Sequence, residues 1–529
     1  MFELAFLIGI YAYLIFFLGL LGSLRSDIIL LTTIVFLFGA YWYIRKKVTF
    51  DWLSIKTIYT RDKMLIAGIS MFICLVIVNL IGALGPELAF DALWYHLTFP
   101  KLYLLSEGIH YIPGSLLYYS VMPKLIEMLY VPALLWGGEA AAKLIQLLLG
   151  ALVSIIIYKI SRNYAGKRNA LMAVLLFYGS FVVAWQSITA YIDLGRTFFE
   201  IMALYGFSLF LKTKKRVWLM DSAFLLGLAI CTKLLSAGSL VIFIILLLIR
   251  QRTQEDRLYI IIYIALALLV PLPWFIFSWT HTGNPVFPFF TSLYPMGTTW
   301  SLLSPLNFVQ EVINMFMNLP DKINPLYLLI FLLAPFLYKK CKSDEKTIFW
   351  YALIAIIIWY ITPRTGGGRF ILPYLPAFSI VGAIVLEKLN ATKGQRILYV
   401  LIFLMCVVTI GYRSIANAKY VPVILGIQTK DEFLTQNLNF NFGDFYDTDS
   451  YFRTHIKNTD TVLLYGFHNL YYVKFPFIDS TWVKKGETFN YIATQDAQLP
   501  ERFSYWKLIY QNDKTHVKLY SLGGQKWVY

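Results

Sequence analysis

Long apolar runs separated by short polar connectors dominate the first 412 residues. Runs such as LAFLIGIYAYLIFFLGLLG (4–22) and LVIFIILLLI (240–249) approach the ~20 apolar residues that cross a bilayer as a helix. Thirteen spans are predicted, near 4–22, 27–44, 64–84, 139–160, 169–187, 195–211, 218–232, 234–250, 258–279, 324–340, 347–362, 370–388 and 396–412. The runs at 195–211 and 218–232 are short, which fits tilting or shelter by neighbouring helices. Two connectors, about 85–138 and 280–323, are too long for turns. Their Trp, Tyr, Phe and Pro content predicts interfacial helices along the membrane surface.

From residue 413 the texture changes. TVLLYG (461–466), WKLIYQ (506–511) and HVKLYSL (516–522) read as strands between turn-rich polar stretches. Three parts are thus expected: a two-span N-terminal extension with its loop (1–63), a transmembrane catalytic region (64–412), and a small α/β domain (413–529). No regular β structure is expected before 413.

Composition strengthens this reading. The chain has 529 residues, 58% hydrophobic and 14% charged, with mean hydropathy +0.63, far from the ~25% charge of soluble domains. That excludes disorder and an ordinary soluble enzyme. The net charge of +16 would suit nucleic acid, but its distribution does not. From 413 onward 13 Lys/Arg face 11 Asp/Glu, and 24 of the 33 basic residues before 413 cluster in alternate connectors such as RKK (45–47) and KTKKR (212–216). This is the positive-inside pattern. It sets a multi-pass orientation in a plasma (inner) membrane, with the N-terminus cytoplasmic and the C-terminal domain extracytoplasmic; no nucleic-acid partner is needed. The first run lacks a basic n-region and a clean cleavage site, so it reads as a span and not as a signal peptide. Four cysteines, three of them in spans, imply no disulfide framework.

The remaining ionisable residues are informative, because charge near an apolar layer is costly and often functional. In GPELAFDALWYHLTFPKLYLLSEG (85–108), Asp91 keeps company with Tyr95, His96 and Lys101. A helix from Asp91 would put Asp91 and Tyr95 on one face; the plain alternative makes Asp91 a helix N-cap. In AWQSITAYIDLGRTFFE (184–200), Asp193 is another cap candidate, and Arg196 can pair with Glu200 at i,i+4. Lys233 interrupts GLAICTKLLSAG (227–238), where snorkelling is the alternative. TPRTGGGRFILPYLP (362–376) offers Arg364 and Arg369 around three glycines, suited to phosphate or to lipid headgroups. His281 stands beside Pro-rich turns, where a structural role competes with a ligand role. Together these place carboxylates and cations on one side of the membrane. Transfer of a sugar from a lipid phosphate needs that set: a base for the attacking hydroxyl and cations for the departing phosphate.

At these residues the chain resembles the polyprenyl-phosphate-sugar-dependent glycosyltransferases of the GT-C fold, similar to the aminoarabinose transferases and protein O-mannosyltransferases. FDALWYHLTFPKLYL (90–104), TAYIDLGRTFF (189–199), GLAICTK (227–233) with TGNPVFPF (282–289), and GRFILPYLP (368–376) carry the likeness in order over 64–412. The resemblance implies an α-helical polytopic fold and Asp91 as general base, with Asp193 or His281 as a second residue near the site. It implies Lys233, Arg364 and Arg369 at the donor phosphate, and Tyr95, His96 and Lys101 among the substrate-binding residues. Relatives often carry Asp-Glu where this chain has Asp91-Ala92, so no cofactor is required, although a divalent metal has room, with His281 as its candidate. The implied reaction is inverting transfer from a polyprenyl-phosphate sugar to a glycan, lipid or protein acceptor of the cell envelope, amid membrane lipids. A flippase or transporter, or a polymerase or ligase of polyprenyl-linked glycans, is the alternative.

Overall fold

A computed structural model describes residues 1–47, 62–250, 254–293, 304–317, 322–362 and 367–529. Among the described residues, helices, most of them apolar, make up most of the chain up to Ala418. Among the described residues six helices are long and apolar enough to cross a membrane: Phe2–Leu20, Ser26–Lys46, Lys63–Leu84, Leu125–Ser161, Asp193–Thr213 and Lys393–Ala418. The pair Arg257–Leu269 and Leu272–Thr282, bent by 58°, passes the same test when its two halves are taken together, as a broken span or a re-entrant loop would. The remaining predicted spans correspond to helices outside that set, including Lys167–Tyr178, Arg216–Thr232, Leu326–Leu337, Ser343–Ile361 and Leu375–Lys388.

Where helices depart from the sequence expectation, backbone chemistry explains it. The bend near 270 falls at Pro271 and Pro273, which cannot donate to the helical ladder. The run 169–187 is two helices, Lys167–Tyr178 and Phe181–Gln186, because Gly179 and Ser180 interrupt it. The Gly179 carbonyl released there accepts from Thr409 Oγ1 at 2.7 Å. The run 370–388 starts late: Pro373 and Pro376 confine 368–374 to two 3₁₀ turns before the helix Leu375–Lys388. The span expected at 139–160 is the C-terminal part of Leu125–Ser161, which begins inside the first long connector and kinks at Gly138 (φ 61°).

Among these six long helices the most enclosed is Asp193–Thr213, packed between Arg216–Thr232 and Leu125–Ser161. Helices on the outside keep large apolar side chains exposed, such as Leu31, Phe38, Leu332 and Phe336, as a lipid-facing surface requires. In the second connector, Pro305–Met317 directs Leu306, Val309, Ile313 and Met317 outward at one-face spacing, the amphipathic pattern expected of an interfacial helix.

The C-terminal region carries all the named strands among the described residues. They are β1 (Val462–Tyr465), β2 (Phe477–Asp479), β3 (Thr488–Phe489), β4 (Tyr491–Gln495), β5 (Lys507–Asn512), β6 (Val517–Ser521) and β7 (Trp527–Val528). Five form a mixed sheet in the order β2-β1-β4-β6-β5, with β1 parallel to β2 and β4 and the other pairs antiparallel. The loop from β1 to β2 lies on the first long connector. The turn after β2 meets the same connector: a Cβ on Gly114 (φ 94°) would sit 2.1 Å from the Thr481 carbonyl oxygen, so only glycine fits.

Candidate functional site

The first connector is fastened before it forms a site. Glu87 is buried, and its carboxylate accepts the N–H groups of Leu88 and Ala89 (both 2.8 Å) and of Ala190 (2.6 Å). Lys143 donates to the Gly85 and Pro86 carbonyls at 2.8 and 3.1 Å. The Asp91 N–H then donates to the Tyr191 hydroxyl at 3.2 Å. Two segments a hundred residues apart in sequence, one ending in Asp91 and the other in Asp193, are thereby held side by side.

From Asp91 the chain makes a π turn, Ala92–His96, closed by Leu97 N–H donating to the Ala92 carbonyl at 2.9 Å. Such wide turns are rare and frequent at functional sites. Here the turn lets Asp91, Tyr95 and His96 all line one cavity of about 330 Å³. Aromatic rings of Trp94, Tyr118 and Tyr119 form one wall, and Pro288, Phe289 and Phe370 contribute another. Lys124, Glu127, Lys233 and Arg369 also reach it.

Neither aspartate caps a helix. Asp91 makes no capping bond; its Oδ2 accepts from Arg369 Nη1 at 2.6 Å. Asp193 opens its helix as the first residue, also without a capping bond, and its Oδ1 accepts from Lys233 Nζ at 2.7 Å. Arg369 Nε lies 3.5 Å from the second oxygen of Asp193. The four residues form one chain of ion pairs, Lys233–Asp193–Arg369–Asp91, drawn from four distant stretches. Asp193 is 1% exposed, whereas Lys233, Arg369 and Asp91 keep 16, 15 and 17% of their side-chain surface open to the cavity side. Tyr191 stacks under the Arg369 guanidinium at 4.8 Å and Phe370 under the Lys233 ammonium at 5.0 Å, contacts that favour cations. Burial raises the Asp91 pKa, but Arg369, His96 and Lys233 outweigh it and hold the carboxyl below its ordinary value. The group stays ionised.

The remaining sequence candidates fall differently. His96 is buried, and its Nδ1–H donates to Glu127 Oε1 at 2.9 Å. Lys101 does not reach the cavity: its ammonium donates to the carbonyls of Leu470 (2.9 Å), Tyr471 (3.1 Å) and Val473 in the β1–β2 loop. A helix-side lysine beside a loop whose carbonyls face it saturates its three donors there. His281 is exposed, with Nδ1 2.8 Å from the Phe277 carbonyl of its own helix and its ring against Phe277 and Tyr111. Arg364 lies outside the described residues. Among the described residues no three His, Cys, Asp or Glu side chains converge as a metal site would need. Arg196 pairs with Glu200 at 2.6 Å, so its charge is used within its own helix.

Three participants escaped the sequence reading as site residues. Glu127 and Lys124 line the cavity from the start of Leu125–Ser161, Lys124 being buried and donating to the Met122 carbonyl at 2.9 Å and to that of Tyr119. Their signal was visible in SVMPKLIEML: a cation and an acid three residues apart in an otherwise aromatic connector. Tyr191 carried no signal, because its value lies in what packs on it.

The sequence profile of the dolichyl-phosphate-mannose-protein mannosyltransferases matches residues 128–277, less than a third of the chain. That segment holds Asp193 and Lys233. No curated protein sequence matches the chain. Among solved structures, ArnT from Cupriavidus metallidurans bound to undecaprenyl phosphate superposes with a TM-score of 0.54 at 14% identity, over 86% of this chain and 97% of that one. Its apo form gives 0.57 at 12% identity with the same coverage. At such identity the likeness establishes the fold: the chain is a multi-pass, ArnT-like membrane protein of the GT-C fold with a small C-terminal sheet domain.

Proposed function

We propose that this protein is an integral-membrane inverting glycosyltransferase that moves a sugar from a polyprenyl-phosphate donor to a glycan, lipid or protein acceptor. The observation that carries the reading is the chain Lys233–Asp193–Arg369–Asp91 at the edge of an aromatic cavity. The positive-inside pattern supports a site at the outer face of the membrane, which we assign as the plasma (inner) membrane, with the N-terminus cytoplasmic. A match to a mannosyltransferase profile and an ArnT-like fold support the same assignment, since ArnT has been seen with a polyprenyl phosphate.

Each part has a chemical task. The donor phosphate docks on Arg369 and Lys233, whose cationic groups remain partly open. In taking Arg369 it loosens that residue from Asp91. Asp91 then accepts the proton of the acceptor hydroxyl, the hydroxyl oxygen attacks the anomeric carbon, and the bond from that carbon to the phosphate oxygen breaks with inversion. The phosphate leaves with the electron pair, its charge held by the two cations. Asp193 keeps Lys233 and Arg369 in place from behind. Tyr95 and the neighbouring aromatic rings offer faces for the sugar. A monophosphate leaving group can be neutralised by Arg and Lys alone, so we assign no metal to the site.

The test is mass spectrometry of surface glycans from cells with and without the protein, beside thermal unfolding of the purified chain with undecaprenyl phosphate. A loss of one sugar mass from a glycan in cells lacking it, with protection by the lipid phosphate, is expected. Identical glycans and no protection would overturn the assignment.

A further inference from the structure

His96 and Glu127 form a second acid–base element in the same cavity. Both are buried to about 2% exposure, 31 residues apart in sequence, and joined at 2.9 Å through Nδ1. Their presence is costly: a buried carboxylate and imidazole must be desolvated, and the second Glu127 oxygen has no hydrogen-bond partner among the described residues. A helix strut gains nothing from an orphaned carboxylate oxygen. The π turn adds a second observation, since its extra residue per turn brings His96 to the cavity that Asp91 lines. With Nδ1 fixed on Glu127, the other ring nitrogen, Nε2, is left to exchange a proton; fixing one nitrogen in this way sets the tautomer at the other.

We propose that the His96–Glu127 pair is the proton relay of the transfer reaction, taking from Asp91 the proton that the acceptor hydroxyl gives up. The inference rests on the glycosyltransferase reading above. As the acceptor oxygen bonds to the anomeric carbon and the phosphate departs with the electrons of the broken bond, the hydroxyl proton passes to Asp91. It moves on to His96 Nε2, and Glu127 stabilises the resulting imidazolium at Nδ1 until the proton leaves through the cavity mouth. The need for a relay follows from Asp91 itself. Asp91 must be ionised again for each turnover, and the His96 imidazole lines the same cavity, so it can take the proton on. The groups facing His96 are Asp91, Asp193, Lys124 and Glu127, with the rings of Tyr95 at 4.2 Å and Tyr191 at 5.6 Å.

Two substitutions test this in the purified full chain, with a polyprenyl-phosphate sugar that the wild type accepts and pH varied from about 5 to 9. His96→Gln removes the proton acceptor; Glu127→Gln keeps the shape and a hydrogen bond but removes the charge that supports an imidazolium. Each is expected to lower kcat about a hundredfold, the lower end of general acid–base effects, and His96→Gln to abolish the acid limb of the kcat–pH profile. Protection against thermal unfolding by undecaprenyl phosphate stays as in wild type. Wild-type kcat in both variants would overturn the relay, as would a lowered kcat with the acid limb unmoved. Lost protection in both would make the pair a strut of the donor site and overturn it as well. Wild-type protein that neither transfers sugar nor is protected is a different result, one that removes the glycosyltransferase reading and the relay with it.

Discussion

Two lysines of the same kind stand out in the sequence, Lys101 and Lys233, and the molecule uses them oppositely. Lys101 is spent on backbone: three carbonyls of the β1–β2 loop saturate its ammonium, and it pins the C-terminal domain to the first connector. Lys233 is held by one carboxylate, rests on the Phe370 ring and keeps a face on the cavity. A cation with all donors satisfied by fixed carbonyls is structural. A cation with a single exchangeable partner beside an open volume can take a ligand. The difference lies in the neighbours, and it separates a docking surface from a candidate binding site.

The comparison breaks most visibly at the cavity. Arg369→Ala and Lys233→Met are each expected to lower sugar transfer by about a hundredfold or more, as loss of a charge-stabilising donor does, and to weaken protection by undecaprenyl phosphate. Lys101→Met is expected to leave kcat within about threefold, since no substrate contact is removed. It takes a donor from three carbonyls, of which Leu470's keeps the Val473 N–H, so the thermal midpoint falls and the C-terminal domain is cleaved more readily by protease; one unsatisfied buried polar group costs about 1–3 kcal/mol. A smaller loosening follows from Glu139→Gln, because Glu139 receives Lys430 and the hydroxyls of Tyr471 (3.1 Å) and Tyr472 (3.3 Å) from the C-terminal domain, and the tyrosines retain a neutral acceptor.

The smallest expected effect is on pH. Burial, with Lys474 adding repulsion, pushes Lys101 down to about 7 from an ordinary 10.5. Between those values the unfolded chain binds the proton and the folded chain releases it, so this lysine makes stability rise with pH from about 7 to about 10. In Lys101→Met that increment of the thermal-midpoint slope disappears. A midpoint that falls over the same interval in wild type, with no difference from the variant, would show that Lys101 does not titrate there.

Much of this architecture is legible in the chain. Apolar runs locate the helices because a bilayer-length segment has one periodicity to satisfy, and the strands after 461 announce themselves by a change of texture. The breaks were harder: Pro271, Gly179 and Pro373 interrupt runs whose hydropathy reads as continuous. At the site, Asp91, Asp193, Lys233 and Arg369 drew notice because each is a charge in apolar surroundings, and they meet in one ion-pair chain. Lys101 drew the same notice and meets a loop. Composition reveals that a charge needs a partner without naming the partner. The His96–Glu127 pair depends on a π turn that no local periodicity encodes, and Tyr191 matters only through what stacks on it. Such residues emerge from packing across a hundred positions or more.

The central claim is that Asp91 is a base restrained by Arg369 and released by the donor phosphate. Asp91→Asn separates the two roles in a single preparation, when sugar transfer and undecaprenyl-phosphate protection are measured side by side. The account predicts that transfer is lost while protection is equal to wild type or stronger, because Arg369 no longer has the Asp91 carboxylate to compete with the phosphate. Transfer at the wild-type rate, or protection that disappears together with transfer, would contradict it.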